Sequence, residues 1–266
     1  MECLICNQKM YYFFSKNFNQ YGLGEVDYWK CNHCGFCLSK THLELCSEDW
    51  EKLNYQYHSD YQGTNFCPDD PKWLERLNAQ VEVMSDLKSL NILPSNNNWL
   101  DYACGDGKLS DLLKTKFNIT LKKYDKYLSG IGEYLTHNEL TPKKYDFLIT
   151  TSVFEHFLDR SSYNDVESLL SDTGILGLHT LVCEKIPNDP AWFYLLPVHT
   201  AFFTNKSMQI LFEDWGFKSS LYNIESRLWF WFKRTPESIQ DIINIANQRD
   251  NKPHYIYEEK FVDYWK

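Results

Sequence analysis

The chain has 266 residues, 43% of them hydrophobic and 17% aromatic. That suffices for one sizeable α/β domain with a small appendage and excludes a disordered chain. Its formal net charge of −9 argues against a bulk electrostatic grip on nucleic acid, leaving room only for a local basic patch.

No run of about 18 uncharged apolar residues is present, so no membrane-spanning helix is expected. No basic-then-apolar leader pattern opens the chain. The expected location is therefore the cytoplasm, where the nine cysteines would be reduced thiols or metal ligands.

Residues 1–45 carry most of those cysteines, with short apolar runs ("MYYFF", "VDYWKC") and no helical period, and read as a small β-rich module. "CLIC" (Cys3, Cys6) and "CNHC" (Cys31, Cys34) are two C-x2-C pairs separated by 24 residues. Each pair can present two thiolates from a tight turn, and four thiolates suit a tetrahedral zinc. The separation is longer than the usual range of about 15–20, and a hairpin over "YYFFSKNFNQYGLGEV" would absorb the excess. A redox pair would follow a strand and open a helix, and "CLIC" does neither. The expectation is a structural zinc ribbon without a free coordination position, serving as a lid over an acceptor pocket. Cys37 is a spare or replacement ligand, while His42 and Cys46 read as structural.

Residues 46–69, rich in tyrosine and turn formers, read as a connector. Asp70 and Pro71 then mark a helix start, with Trp73, Leu77, Val81, Met84 and Leu87 at helical spacing and "PSNNN" as the stop. From residue 97 strands and helices alternate. "NWLDYA", "ITLKKYD", "YDFLITTSVF" and "GILGLHTLV" read as strands. "GKLSDLLKTKF", "YLSGIGEYL", "SSYNDVESLLSD" and "NKSMQILFEDWG" read as helices. Apolar strands alternating with helices indicate a parallel sheet covered on both faces. "FKSSLYNI" and "SRLWFWFKR" follow one another without a helix, so the last strand should run antiparallel. "TPESIQDIINIANQR" is a further helix, and the aromatic tail "HYIYEEKFVDYWK" has no assigned place.

The stretch "DYACGDG" (101–107) could be a hairpin turn, since Asp-Gly favours one. The adjoining run "KLSDLLKTKF" has helical period, so the segment is a strand–loop–helix junction. Glycines there let the backbone turn tightly and approach a ligand, and the helix N-terminus adds free N–H groups. Asp125 closes the second strand, where an acid can accept hydrogen bonds from both ribose hydroxyls of a nucleotide.

On these residues, the chain resembles the class I S-adenosylmethionine-dependent methyltransferases. "LDYACGDGKL" is similar to their first motif, "KKYDKY" to their acidic second motif, and "YDFLITTSVFEHFLD" to a stretch of the subgroup acting on small molecules, lipids and sugars. Residues 192–204 resemble that subgroup's later motif. The likeness spans roughly 95–235, with one departure: Ala103 stands where the family has its first glycine.

The resemblance implies a Rossmann-like seven-stranded sheet with helices on both faces, preceded here by the zinc-ribbon module. The expected division is 1–45 ribbon, 46–95 connector and helix, 96–235 methyltransferase domain, and 236–266 C-terminal helix and tail. It implies that Asp101, Ala103, Gly105 and Gly107 shape the S-adenosylmethionine pocket and that Asp125 holds the ribose. Lys126 and Tyr127 would lie near the adenine, with Thr151 and Ser152 at the methionine end. Glu155 and His156 would lie beside the reacting centre.

His199 is the first candidate for general base and His156 the second; Glu155 is either catalytic or a hydrogen-bond partner. Trp192, Phe193 and Tyr194 either cover the acceptor or belong to the core.

The expected function is methyl transfer to oxygen or carbon of a small molecule, such as a sugar or glycan precursor. The alternatives are an RNA methyltransferase gripping RNA with the zinc module, and a non-catalytic scaffold. Lys9, Lys16, Lys30 and Lys40 balance Glu2, Glu25, Asp27 and Glu44 within 1–45, and a neutral module in an acidic chain argues against RNA.

Overall fold

The computed structural model describes residues 1–60, 71–141, 143–249 and 254–263. Its N-terminal part forms strands β1 (Met10–Phe18), β2 (Gly24–Cys31) and β3 (Cys37–Ser39) and the one-turn helix α1 (Lys40–Leu43). β1 and β2 pair antiparallel, the hairpin expected between the two cysteine pairs.

Ser47–Asp60 is helix α2, which corrects the reading of this stretch as a connector. Its tyrosines and polar residues show no apolar period. Tertiary contacts hold it instead: Leu53 and Asn54 are buried, and Trp50 packs edge-on to His42 at 5.6 Å. Helix α3 (Pro71–Ser89) follows; the expected cap Asp70 lies outside the described residues. Leu77, Val81, Met84 and Leu87 are buried, as their spacing predicts.

The alternating region gives β4 (Trp99–Tyr102), α4 (Lys108–Phe117), β5 (Lys122–Tyr124), α5 (His137–Leu140) and β6 (Tyr145–Thr151). A 3-10 turn at Phe154–His156, α6 (Arg160–Ser168), β7 (Leu170–His179), β8 (Val182–Cys183) and β9 (Ala201–Thr204) come next. The chain continues with α7 (Asn205–Asp214), β10 (Ser219–Asn223), β11 (Leu228–Phe232), α8 (Ile239–Gln248) and β12 (Tyr255–Glu258).

"YLSGIGEYL" is not the expected short helix. Gly130 and Gly132 take φ of +75° and +59°, a left-handed backbone that breaks a helix, and the segment runs as turns.

Seven strands form one sheet in the order β12-β10-β11-β7-β6-β4-β5. The pairs among β5, β4, β6 and β7 are parallel. β11 runs antiparallel to β7, and β10 antiparallel to β11. The unassigned tail supplies the edge strand β12.

Side chains alternate across this sheet. Trp99, Phe147, Ile149 and Phe230 pack with α3, α4 and α8 on one face. Leu100, Leu148, Trp229 and Trp231 pack with α6 and α7 on the other. The "LWFWF" stripe is thus sheet packing.

The N-terminal strands do not stand alone. They continue into a five-stranded sheet, β1-β2-β3-β9-β8, in which Cys37 pairs with Phe202 and Leu38 with Ala201. Phe36 and Leu38 share one core with Phe154 and Phe203. The segment 182–204 therefore joins the ribbon to the large sheet.

Candidate functional site

A cleft of about 1960 Å³ opens beyond the carboxyl ends of β4, β5, β6 and β7. It lies where the strand order reverses around β4, the place at which parallel α/β sheets bind ligands. Ala103, Gly105, Asp125, Lys126, Tyr127, Thr151, Ser152, Glu155, His156 and His199 all line it. Asp101 and Gly107 act from behind the wall. Asp101 is buried and accepts from the Ser110 hydroxyl at 2.7 Å, and burial pushes its carboxyl up to about 7. Gly107 caps the N-terminus of α4 with φ of +72°.

The loop between β4 and α4 is left-handed at three positions, Ala103, Gly105 and Gly107. A methyl group at Gly105 would meet nothing within 4 Å, so φ rather than crowding makes glycine the fitting residue there. Asp125 ties this loop to the end of β5: its carboxylate accepts the Gly105 N–H at 3.1 Å and the Tyr127 N–H at 2.9 Å. Lys126 is paired with Glu51 of α2 at 2.7 Å, which brings α2 against this end of the cleft.

The opposite end is built around the 3-10 turn. The Thr200 N–H donates to the Glu155 carbonyl at 2.7 Å, and this sets His199 beside His156 with ring centroids 5.1 Å apart. Glu155 is buried. One carboxylate oxygen accepts from the Tyr194 hydroxyl at 2.6 Å and the other from the Thr180 hydroxyl at 2.9 Å.

His199 Nδ1 lies 2.9 Å from the Tyr194 carbonyl. A carbonyl can only accept, so Nδ1 carries the proton and Nε2 keeps its lone pair. Burial lowers His199 to about 4 and His156 to about 3, so both imidazoles are neutral near pH 7.

Residues of the N-terminal sheet grip the segment that carries His199. His42 Nε2 donates to the Pro197 carbonyl at 2.8 Å, the Ser39 N–H to the Thr200 carbonyl at 2.8 Å, and Lys16 Nζ to the Leu195 carbonyl at 2.8 Å. His42 also lies 2.6 Å from the Ser39 hydroxyl through Nδ1, so both ring nitrogens are engaged. Of the aromatic trio, Tyr194 serves Glu155 and His199, Trp192 packs on Phe202, and Phe193 stands exposed at the cleft.

Sequence reasoning missed His58 and Trp50 of α2, Arg76 of α3, His179 and Thr180 at the end of β7, and Arg227, all of which line the cleft. The one available signal was "HT" closing the apolar run "GILGLHT", since polar residues at the carboxyl end of a parallel strand face such a cleft. His58 lies 5.5 Å from His156, centroid to centroid, in a helix that has no sequence signature.

Cys3, Cys6, Cys31 and Cys34 converge, and Cys3, Cys31 and Cys34 are buried in the core shared with Tyr163 and Val166 of α6. Sulfur separations are 3.6 Å for Cys3–Cys34 and 3.5 Å for Cys6–Cys31 and Cys6–Cys34. A tetrahedron of thiolates at about 2.3 Å from zinc has edges of about 3.8 Å.

The two cysteine turns are copies of each other. Asn7 N–H returns to the Cys3 carbonyl as Gly35 N–H does to Cys31, and the Cys3 N–H reaches Gln8 as the Cys31 N–H reaches Phe36. Asn7 and Gly35, each just after the second cysteine, are both left-handed. Backbone N–H groups of Ile5 and Cys6 point at the Cys3 sulfur. Cys37 lies apart from the four in a separate apolar cluster, and Cys46 is exposed. Arg160 clamps the first turn by donating to the Leu4 and Ile5 carbonyls at 3.1 and 3.2 Å.

No helix among the described residues is long and apolar enough to cross a membrane. A family described as "Methyltransferase domain" matches residues 71–220, more than half of the chain. No curated protein matches.

Solved structures similar to the chain include the plantazolicin methyltransferase BpumL, at 12% identity over 80% of this chain and 97% of that one, with a TM-score of 0.44. The magnesium protoporphyrin IX methyltransferase ChlM from Synechocystis is 15% identical over 69% and 94%, with a TM-score of 0.41. A Nostoc punctiforme protein described as a "putative O-methyltransferase" is 16% identical with a TM-score of 0.42; the match covers 59% of this chain and spans 56% of that protein's length. At such distances none of them informs the substrate.

Proposed function

The chain belongs to the S-adenosylmethionine-dependent methyltransferases, and from that premise we propose that it methylates an oxygen or carbon of a small-molecule acceptor, such as a sugar or glycan precursor. One observation carries the reading. A single cleft has a glycine loop and Asp125 at one end and two neutral imidazoles beside a buried carboxylate at the other.

The residues fit S-adenosylmethionine. Gly105 leaves open space beside the cleft, and the Asp125 carboxylate stands at the end of β5 where ribose hydroxyls can be met. Lys126 and Tyr127 would border the adenine, and Ala103, Thr151 and Ser152 the methionine end. Asp101 and Gly107 would hold the loop in shape from behind. The cofactor supplies a methyl group already activated on a sulfonium sulfur.

The chain's own task is to align the acceptor, exclude water and accept a proton. His199 Nε2 is the first candidate for that proton and His156 the second. Glu155 acts through Tyr194, whose hydroxyl it accepts and whose carbonyl orients His199; Glu155 is thus a positioning residue.

Cys3, Cys6, Cys31 and Cys34 would hold a structural zinc. With four thiolates it has no open position for chemistry. Its contribution is to stiffen the ribbon whose Lys16, Ser39 and His42 hold the segment bearing His199. In this reading 1–45 is the ribbon, 46–95 the connector and helix, and 96–235 the catalytic domain, with 236–266 the C-terminal helix and tail. The segment 182–204, although it follows β7 of the large sheet, supplies β8 and β9 to the ribbon sheet.

The deciding experiment is transfer of radiolabelled methyl from S-adenosylmethionine into metabolite and polysaccharide extracts, with total RNA in parallel. Label in a small molecule or glycan supports the proposal. Salt-sensitive label in RNA alone overturns it in favour of an RNA methyltransferase, and cofactor binding without label anywhere in favour of a scaffold.

A further inference from the structure

We propose that Glu155, His156 and His199 form a second metal centre, which holds one divalent transition-metal ion of zinc's class at the acceptor end of the cleft. What the ion does there rests on the methyl-transfer reading; its presence does not. One ligand atom from each residue lies within 4.8 Å of the others. Bonds of about 2.0–2.2 Å to such an ion set nitrogen and oxygen ligands roughly 3–3.5 Å apart, which small side-chain rotations bring about.

Charge supplies the first argument. Glu155 is 1% exposed, and its two oxygens are met by neutral hydroxyls, those of Tyr194 and Thr180. No ion pair among the described residues includes it. A buried carboxylate without a cation is costly, and a dication removes that cost.

The outer partners supply the second. Metal-binding histidines characteristically donate their other ring N–H to a carbonyl or carboxylate, and ligating carboxylates are themselves hydrogen-bonded. His199 donates Nδ1–H to the Tyr194 carbonyl at 2.9 Å, which directs the lone pair of Nε2 away from it. Glu155 has its two hydroxyl partners. His156 Nδ1 is buried with no hydrogen-bond partner, an orphan that ligation by this ring would explain.

Two imidazoles and one carboxylate with the cleft side open match a catalytic rather than a structural ion site. The open position suits a hydroxyl or enolisable oxygen of the acceptor. Bound there, an acceptor O–H gives its proton to water in the cleft. The oxygen pair then forms the new O–CH3 bond, while the S–CH3 bond breaks and its electron pair stays on sulfur, leaving S-adenosylhomocysteine. In the metal-free protein His199 Nε2 remains available as the base, so the two states are separated by counting ions.

The test is metal content of the full chain purified without chelators, by mass spectrometry, and the visible spectrum after cobalt(II) substitution. Wild type should hold two ions per chain. Cys31→Ser should keep one, with the weak visible bands of nitrogen–oxygen cobalt and no thiolate charge-transfer band. Glu155→Gln and His199→Gln should keep one, with the thiolate band intact. Should Glu155→Gln fail to fold, His156→Gln takes its place. Tyr194→Phe should weaken zinc binding at this centre about 10- to 100-fold.

One ion in wild type, or a second ion that persists in both His199→Gln and Glu155→Gln, overturns the proposal. Methyl transfer by a one-ion protein would keep the reaction and remove the centre. Two ions with no methyl transfer to any acceptor would keep the centre and remove the reaction.

Discussion

The Thr200 backbone N–H donates to the Glu155 carbonyl at 2.7 Å, and this one bond carries the lead into β9 across the turn that ends β6. His199 and His156 are neighbours for that reason. The Thr200 hydroxyl adds contacts to the Glu155 and Phe157 carbonyls, each at 3.2 Å, so the junction is held at several points.

His199→Gln should bind S-adenosylmethionine as wild type does, because the imidazole lies at the acceptor end. Turnover should fall by about 10²–10⁴-fold, the usual cost of losing a general base. Calorimetry and steady-state rates on an identified acceptor check both halves. Near-normal turnover in this variant and in His156→Ala would leave the reaction to alignment alone.

Acid should destabilise the protein early. His42 and His199 are lowered to about 4, and His156 and His179 to about 3, each chiefly by burial. The unfolded chain, with histidines near their ordinary value of about 6.5, binds more protons between that value and the folded ones. Stability from these four groups is present above pH of about 6.5 and is lost as pH falls toward 3. Asp101, raised to about 7, works the other way and loses stability as pH rises through the same window. Four groups against one leave a net fall on acidification, measurable as Tm against pH; a flat profile from 7 to 4 would contradict it.

Asp125→Ala removes the acceptor expected for the ribose hydroxyls, each such bond to a charged group being worth about 1.5–3 kcal/mol. Affinity for S-adenosylmethionine should drop roughly tenfold or more. The same carboxylate holds the Gly105 and Tyr127 N–H groups, so Tm should fall as well. Unchanged affinity in calorimetry would place the nucleotide elsewhere.

Ala103 occupies a left-handed position, φ +54°, where a Cβ costs about 1–2 kcal/mol. Ala103→Gly relieves this strain but adds about 0.4–1 kcal/mol of unfolded-state entropy. The variant should be equal to wild type or up to about 1.6 kcal/mol more stable by denaturant titration. A clear loss would mean that the methyl group packs usefully.

Cys31→Ser should lose the ribbon zinc, and the loss should travel. Hydrogen exchange should quicken in 1–39 and also in 195–200, which Lys16, Ser39 and His42 hold through backbone carbonyls. Full zinc retention would refute the four-cysteine assignment. Loosening confined to 1–39 would show that the ribbon does not support the segment bearing His199.

The sequence by itself determined everything that local periodicity and spacing encode. Apolar strands alternating with amphipathic helices specify the parallel half of the sheet. The glycine loop ahead of α4, Asp125 at the end of β5, and two spaced C-x2-C turns are readable because each is written in contiguous residues whose backbone needs are local.

Tertiary structure decided the rest. Helix α2 has no apolar period, so only its contacts with His42 and Lys126 make it a wall of the cleft. β12 forms because the edge of β10 offers unpaired backbone groups to the tail, a long-range match invisible along the chain. "YLSGIGEYL" turned on two glycines whose left-handed φ outweighed a helical pattern. The meeting of Glu155, His156, Tyr194 and His199 depends on a backbone bond between residues 45 positions apart and on a ribbon sheet that closes through β9. Residue spacing reports which groups share a helix face or a strand; it does not report which two distant turns a shared carbonyl will join.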